Sequence, residues 1–84
     1  MALADLRLVP CGDRALLCYL GETLDEATSR RVHSLADALR GAHPAIVEVT
    51  PGFHALMVEY DPVRIRLEQV TAMVQDAAAR ADAP

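Results

Sequence analysis

Tryptophan and lysine are both missing from this 84-residue chain, and only three side chains are Phe or Tyr. Its interior must therefore be aliphatic, drawn from Leu, Val, Ile, Ala and Met. All eight basic residues are arginine, and twelve acidic residues outnumber them, for a formal net charge of −4. That balance excludes the basic stripe with which a nucleic-acid binder neutralises phosphates. No apolar run approaches the roughly 20 residues of a membrane-spanning helix, and no cluster of cations marks a membrane anchor. The N-terminus, MALADLRLVP, carries an acidic Asp5 and no cationic region ahead of an apolar stretch, so it does not read as a signal peptide. A cytoplasmic location is the expectation.

Cysteine and glycine are also scarce. Cys11 and Cys18 lack the C-x-x-C spacing of a zinc or redox pair, and without a secretory signal both are expected as reduced thiols. Cys18, inside ALLCYL, reads as a small buried hydrophobe. Gly12, Gly21, Gly41 and Gly52 stand alone, each at a turn or a helix end, so none builds a phosphate-cradling loop. The histidines are dispersed: His33 on a helix, His43 before Pro44, His54 beside Phe53. No pair falls at i, i+4, and no metal site is expected. Ser29 and Ser34 have no orienting base nearby. Cys11 stands close to Asp13 rather than in the cationic surroundings that activate a thiolate.

What is present is a regular alternation of elements. Eighty-four residues make one small domain, which buries only about 60% of its unfolded surface. Asp5–Val9 alternates as a short strand, PCGD supplies turn chemistry, and Arg14–Leu20 is a nearly continuous apolar run suited to a central strand. Thr23 and Glu26 form a capping box. Leu24, Val32, Leu35 and Leu39 then recur at helical spacing, with Ala27, Thr28 and Ala36 expected on the same side. Gly41 and Pro44 end this helix. Ala45–Thr50 alternates, with Ala45, Val47 and Val49 expected on one face. His54–Tyr60 alternates likewise, with Leu56, Val58 and Tyr60 opposed to Ala55, Met57 and Glu59. PGF between them is a short hairpin loop. A second helix is expected from about Ile65 to Ala81, with Leu67, Val70, Met73, Val74 and Ala77 inward and a frayed ADAP tail.

The order β-β-α-β-β-α predicts an α+β two-layer sandwich with two helices on one face of a four-stranded sheet. Moving the first strand to the end yields the ferredoxin-like order, so a permuted ferredoxin-like domain is the expectation. Its sheet order should be first, second, fourth, third, with right-handed crossings and the second and fourth strands parallel at the centre. That arrangement would bring Asp13, Arg14, Phe53 and His54 to one edge as candidates for contact with a partner or ligand, and would keep Asp61 away. The plainer alternative makes Asp13 a turn residue and Phe53 a cap on the core.

Three segments together carry a family resemblance. Pro10, Gly12, Asp13, Ala15, Leu16 and Leu17 fit a P-x-G-D-x-A-L-L start. Arg31, Val32, Leu35, Ala38 and Leu39 fit an R-V-x-x-L-x-x-A-L helix. Val47, Glu48, Val49, Pro51, Phe53, Leu56, Val58, Tyr60, Asp61 and Pro62 fit a V-E-V-x-P-x-aromatic hairpin ending in Y-D-P. The chain resembles the N-terminal domain of the family of the sporulation-kinase inhibitor KipI, whose members are also described as allophanate hydrolase subunit 1 and as a subunit of the ATP-dependent 5-oxoprolinase. Phe53 stands where the family usually has Tyr, which removes any role for a phenol hydroxyl.

The resemblance implies residues 1–84 as a single domain, without the family's cyclophilin-like second domain. It carries over no catalytic residue. It implies that this domain binds no cofactor, with ATP entering only for a whole enzyme complex. Implied partners are a carboxyltransferase-like second subunit or the cyclophilin-like domain, or a sensor histidine kinase; the exposed edges expected at the first and third strands add, apart from the resemblance, a second copy in a homodimer. Three functions follow: a non-catalytic piece of a 5-oxoprolinase or allophanate hydrolase subunit that serves assembly, a regulatory module that inhibits a histidine kinase, or a self-associating domain.

Overall fold

The computed structural model of the chain describes residues 6–21 and 26–81. The elements run β1 (Leu6–Pro10), β2 (Ala15–Leu20), α1 (Glu26–Leu39), β3 (Ile46–Pro51), β4 (Ala55–Tyr60) and α2 (Leu67–Ala81). The capping box at Thr23, the inward Leu24 and the ADAP tail beyond Ala81 lie outside the described residues. Four strands form one sheet in the order β1-β2-β4-β3. Both helices lie on one face, as the periodicities predict.

The pairing sense at the centre differs from expectation. β2 and β4 are antiparallel, with Leu16 opposite Val58 and Cys18 opposite Leu56. The reason is directional. α1 returns the chain so that β3 runs the same way as β2, and the hairpin then reverses β4. Since β4 and not β3 lies beside β2, every neighbouring pair is antiparallel. A permuted ferredoxin-like sheet keeps this property.

Period-2 alternation selects the core. Leu16, Cys18 and Leu20 of β2, and Leu56, Val58 and Tyr60 of β4, are all buried beneath the helices. Val32, Leu35, Ala36 and Leu39 of α1 and Val70, Val74, Ala77 and Ala78 of α2 meet them. Ile65, expected as the first residue of the second helix, lies just before it, buried in the turn that Asp61 organises. There the Asp61 carbonyl accepts from the Arg64 and Ile65 amides, and its Oδ1 accepts from the Val63 amide at 3.0 Å. Gly41 closes α1 with φ 75°, a left-handed conformation that L side chains rarely adopt.

Two expected core positions turn outward. Ala27 is exposed at the start of α1. Val47 is 67% exposed while Val49 is 5% exposed. The cause at Val47 is a β-bulge: Ile46 pairs with Tyr60 and Glu48 with Glu59, leaving Val47 as the extra residue. The alternation read from sequence holds after the insertion, where Val49 faces the core opposite Val58, and slips by one residue before it, where Ile46 pairs with the buried Tyr60 and packs against the core.

This geometry separates two neighbouring valines. Val47→Asp should change unfolding free energy by no more than about 0.5 kcal/mol, the ordinary range for a surface site. Val49→Asp puts an unpaired charge in the core and should cost about 3 kcal/mol or more. Urea unfolding of both variants measures the contrast, and equal losses would contradict the bulge.

Candidate functional site

Each hairpin turn presents its side chains at one end of the sheet, so the pairing sense decides which turns meet. The β1–β2 turn is closed by the Cys11 amide donating to the Ala15 carbonyl at 2.9 Å, with Gly12 at φ 72° making the reversal. Asp13 and Arg14 project from it. Arg14 Nε lies 3.9 Å from Asp13 Oδ1, and both side chains are largely exposed, so the pair adds little stability. The β3–β4 turn is closed by the Gly52 amide donating to the Ala55 carbonyl at 2.7 Å, which leaves Phe53 and His54 at the tip.

These two turns lie at opposite ends. The Leu20 amide donates to the His54 carbonyl at 2.8 Å, which fixes the tip beside the end of β2. The Tyr60 amide donates to the Arg14 carbonyl at 2.9 Å, which fixes Arg14 beside the end of β4. Asp13 and Arg14 therefore share no edge with Phe53 and His54, contrary to the sequence expectation. Asp61, expected to lie apart, follows Tyr60 at the Arg14 end. The antiparallel β2·β4 pair is the physical cause of both corrections.

At the tip end, side chains gather on the face that the helices leave open. Tyr19 and His54 have ring centroids 6.0 Å apart with planes inclined by 40°. Arg7 places its guanidinium carbon 4.8 Å from the Tyr19 ring centroid, within cation–π range. Phe53 stands beside them, 73% exposed. Sequence reasoning found Phe53 and His54 and missed Arg7 and Tyr19. The available signal was the alternation of β1 and β2, which puts residues 7 and 19 on the face opposite Leu8 and Cys18. A charged, aromatic and apolar group at this tip suits contact with another macromolecule.

At the other end, Ala45 donates its amide to His43 Nδ1 at 3.0 Å, which orients the imidazole. His43, Ile65, Gln69, Ala72, Met73 and Asp76 line a groove of about 450 Å³. Arg80 Nη2 holds Asp76 Oδ2 at 2.8 Å, on the surface of α2. Among the described residues, no three His, Cys, Asp or Glu side chains converge as a metal site would require.

The two thiols have different surroundings. Cys11 is exposed and Cys18 is buried, and both are free. Cys18 lies opposite Leu8, three register steps from the Cys11 turn, so the two do not face each other. Desolvation by burial pushes the Cys18 thiol up from 9.0 to about 12.

The sequence model of the family described as carboxyltransferase domain, subdomain C and D, matches residues 6–84. A conserved uncharacterized protein of Pyrococcus horikoshii is 34% identical over 89% of the chain, with a TM-score of 0.81. The chain spans only 35% of that protein's length. The N-terminal domain of the histidine kinase inhibitor KipI from Bacillus subtilis is 26% identical, with a TM-score of 0.73 over 90% of the chain and 86% of that domain. The urea carboxylase of Kluyveromyces lactis superposes over 94% of the chain with a TM-score of 0.85, but it is 21% identical and the chain spans 7% of it. That last likeness is one of fold. No curated protein matches the chain significantly.

Burial of Cys18 carries a pH signature. Above pH 9 the unfolded chain loses this thiol proton, whereas the folded chain keeps it until about pH 12. Stability is thus unaffected by this group below pH 9 and falls as pH rises through that window, by about 4 kcal/mol at most for a shift of this size. The difference between wild type and Cys18→Ala in chemical unfolding at pH 8 and pH 10.5 isolates the contribution. The wild type should lose more stability than the variant on going to the higher pH.

Proposed function

Since the chain belongs to the carboxyltransferase domain family, subdomain C and D, we propose that it is a non-catalytic assembly module of a carboxyltransferase-type enzyme. The observation that carries this reading is the family match across residues 6–84. The enzyme proposed is an ATP-dependent 5-oxoprolinase or an allophanate hydrolase. The module itself binds no nucleotide, and ATP is used by the complete complex. Its work is to present a rigid sheet end to a second subunit or to a cyclophilin-like domain.

The tip end supports this role. Phe53 is 73% exposed on a turn held by backbone hydrogen bonds at both flanks, so its position costs little further ordering on contact. Arg7, Tyr19 and His54 extend the patch with side chains of the kinds enriched at interface anchors. Asp13 and Arg14, with Asp61 beside them, form a second, charged contact candidate at the far end.

A second reading has its own observation. The KipI N-terminal domain is matched over nearly its whole length, which favours a regulatory module that binds a histidine kinase.

Affinity capture of the tagged chain from its own cells, with the bound proteins identified by mass spectrometry, separates these readings. The expected result is a carboxyltransferase-type subunit, with ATP hydrolysis on 5-oxoproline or allophanate appearing only when that subunit is present. Recovery of a histidine kinase would favour the second reading, and recovery of neither would overturn both. Phe53→Ala should weaken the captured complex about 10-fold or more, as truncation of a central aromatic anchor does, without lowering stability. The double variant Asp13→Ala, Arg14→Ala tests the other end, and loss of binding there alone would move the contact to it.

A further inference from the structure

The two outer edges of the sheet differ in what they offer a new strand. In an antiparallel ladder, alternate residues turn both backbone groups toward the same neighbour. The Cys11–Ala15 hydrogen bond sets the phase for β1, and the register carries it to Val9–Leu17 and Arg7–Tyr19. Leu6, Leu8 and Pro10 therefore point their backbone groups away from β2. Among the described residues, nothing pairs with the amides of Leu6 and Leu8.

The opposite edge is blocked by several devices of the kind that discourage strand addition. β3 carries the bulge at Val47 and ends in Pro51, which has no amide proton. The outward carbonyl of Val49 is already taken by Arg40 Nη2 at 3.4 Å, and Arg40 is itself held by Asp37 Oδ1 at 2.8 Å. Glu48 adds an exposed charge. β1 shares the last-position proline, at Pro10, and an exposed charge, at Arg7, but it pairs with β2 in unbroken register without a bulge.

The surroundings of β1 add an apolar component. The helices pack mainly over β2, β3 and β4. Leu6 and Leu8, on the helix side of β1, remain half-buried. Together with Thr71 and Gln75 of α2 they line a groove of about 530 Å³.

We propose that a second copy of this chain pairs with β1 edge to edge, antiparallel about a two-fold axis, so that two four-stranded sheets become one sheet of eight strands. The occupant follows from self-complementarity: the same outward groups serve as donors and acceptors on both copies, as an isologous contact requires. With Leu8 at the axis, each Leu8 amide donates to the Leu8 carbonyl of the other copy, and each Leu6 amide donates to the other copy's Pro10 carbonyl. The missing amide of Pro10 then falls at the end of the ladder. Charge disfavours the neighbouring register. A shift that set Leu6 opposite Leu8 would put the two Arg7 side chains directly opposite each other, which is unfavourable. With Leu8 at the axis, Arg7 instead faces Val9. The two Leu8 side chains meet on the helix side and close the two grooves against each other. This association is independent of the enzyme partner proposed above, and its test uses the purified chain alone.

Light scattering on the eluted chain should give twice the monomer mass at submillimolar concentration. Amide exchange should show protection of Leu6 and Leu8 that rises with concentration. Leu8→Pro removes a donor that β2 does not use, and it should yield a folded monomer by circular dichroism. Should that variant not fold, Leu8→Cys in a Cys11→Ser, Cys18→Ala background serves instead, the second change removing the thiol that lies opposite Leu8 within the same chain. Paired residues at the axis lie about 5.5 Å apart between Cα atoms, inside the range of a disulfide, so mild oxidation should cross-link it quickly. Thr50→Cys, on the open sheet face, should not cross-link. A wild-type monomer with fast-exchanging Leu6 and Leu8 amides would overturn the proposal. So would a dimer that survives Leu8→Pro, or cross-linking of Thr50→Cys in place of Leu8→Cys, which would move the contact to the open face.

Discussion

The antiparallel pairing of β2 with β4 is the constraint on which the rest of this structure depends. Leu16, Cys18 and Leu20 on one strand and Leu56, Val58 and Tyr60 on the other form the buried floor under both helices. A single reversal of that pairing would exchange which turns share an end. Because β4 runs against β2, the Phe53–His54 tip adjoins Leu20 and Gly21, and Arg14 adjoins Tyr60. The molecule therefore has two separate ends, one aromatic with a cation and one charged, rather than a single composite edge.

The same sheet also explains why the surface is uneven. Two helices cover three strands well and leave β1 with half-buried leucines and with backbone groups that nothing among the described residues pairs. β3, at the other margin, is closed by a bulge, a proline and an arginine that reaches back from the end of α1. A small aliphatic domain without tryptophan has little core to spare, and leaving Leu6 and Leu8 half-buried is a real cost at about 25 cal/mol per Å² of apolar surface. The open face opposite the helices carries Val9, Leu17 and Met57 in adjacent register positions, flanked by Arg7 and Tyr19 toward one end and Glu48 and Glu59 toward the other.

Membership of the carboxyltransferase C and D family places the chain among domains that occur within much larger proteins. The solved relative from Pyrococcus horikoshii is about two and a half times as long, since 89% of this chain covers 35% of it. The KipI N-terminal domain shows the same fold standing as a unit of similar size. An assembly role suits a domain whose most distinctive features are exposed aromatic and apolar side chains on rigid turns. Val63, 92% exposed beside Asp61 and Pro62, is another such side chain, at the charged end.

Local chemistry in the sequence determined the elements and most of the core. Alternation in Leu56, Val58 and Tyr60, helical spacing in Val32, Leu35 and Leu39, and the left-handed preference of Gly41 each depend on interactions within a few residues. The hairpin tip at Phe53 and His54 was legible for the same reason. The antiparallel sense of the central pair follows from the strand order and its two connections, against the parallel pair expected, whereas only the tertiary structure decided the outward turn of Val47 and the meeting of Arg7 with Tyr19 and His54. A meeting across strands is settled by which neighbours the whole chain brings together, and a bulge by how two distant segments come into register. Neither leaves a mark on the residues themselves, because the free energy that selects them belongs to contacts between parts of the chain far apart in sequence.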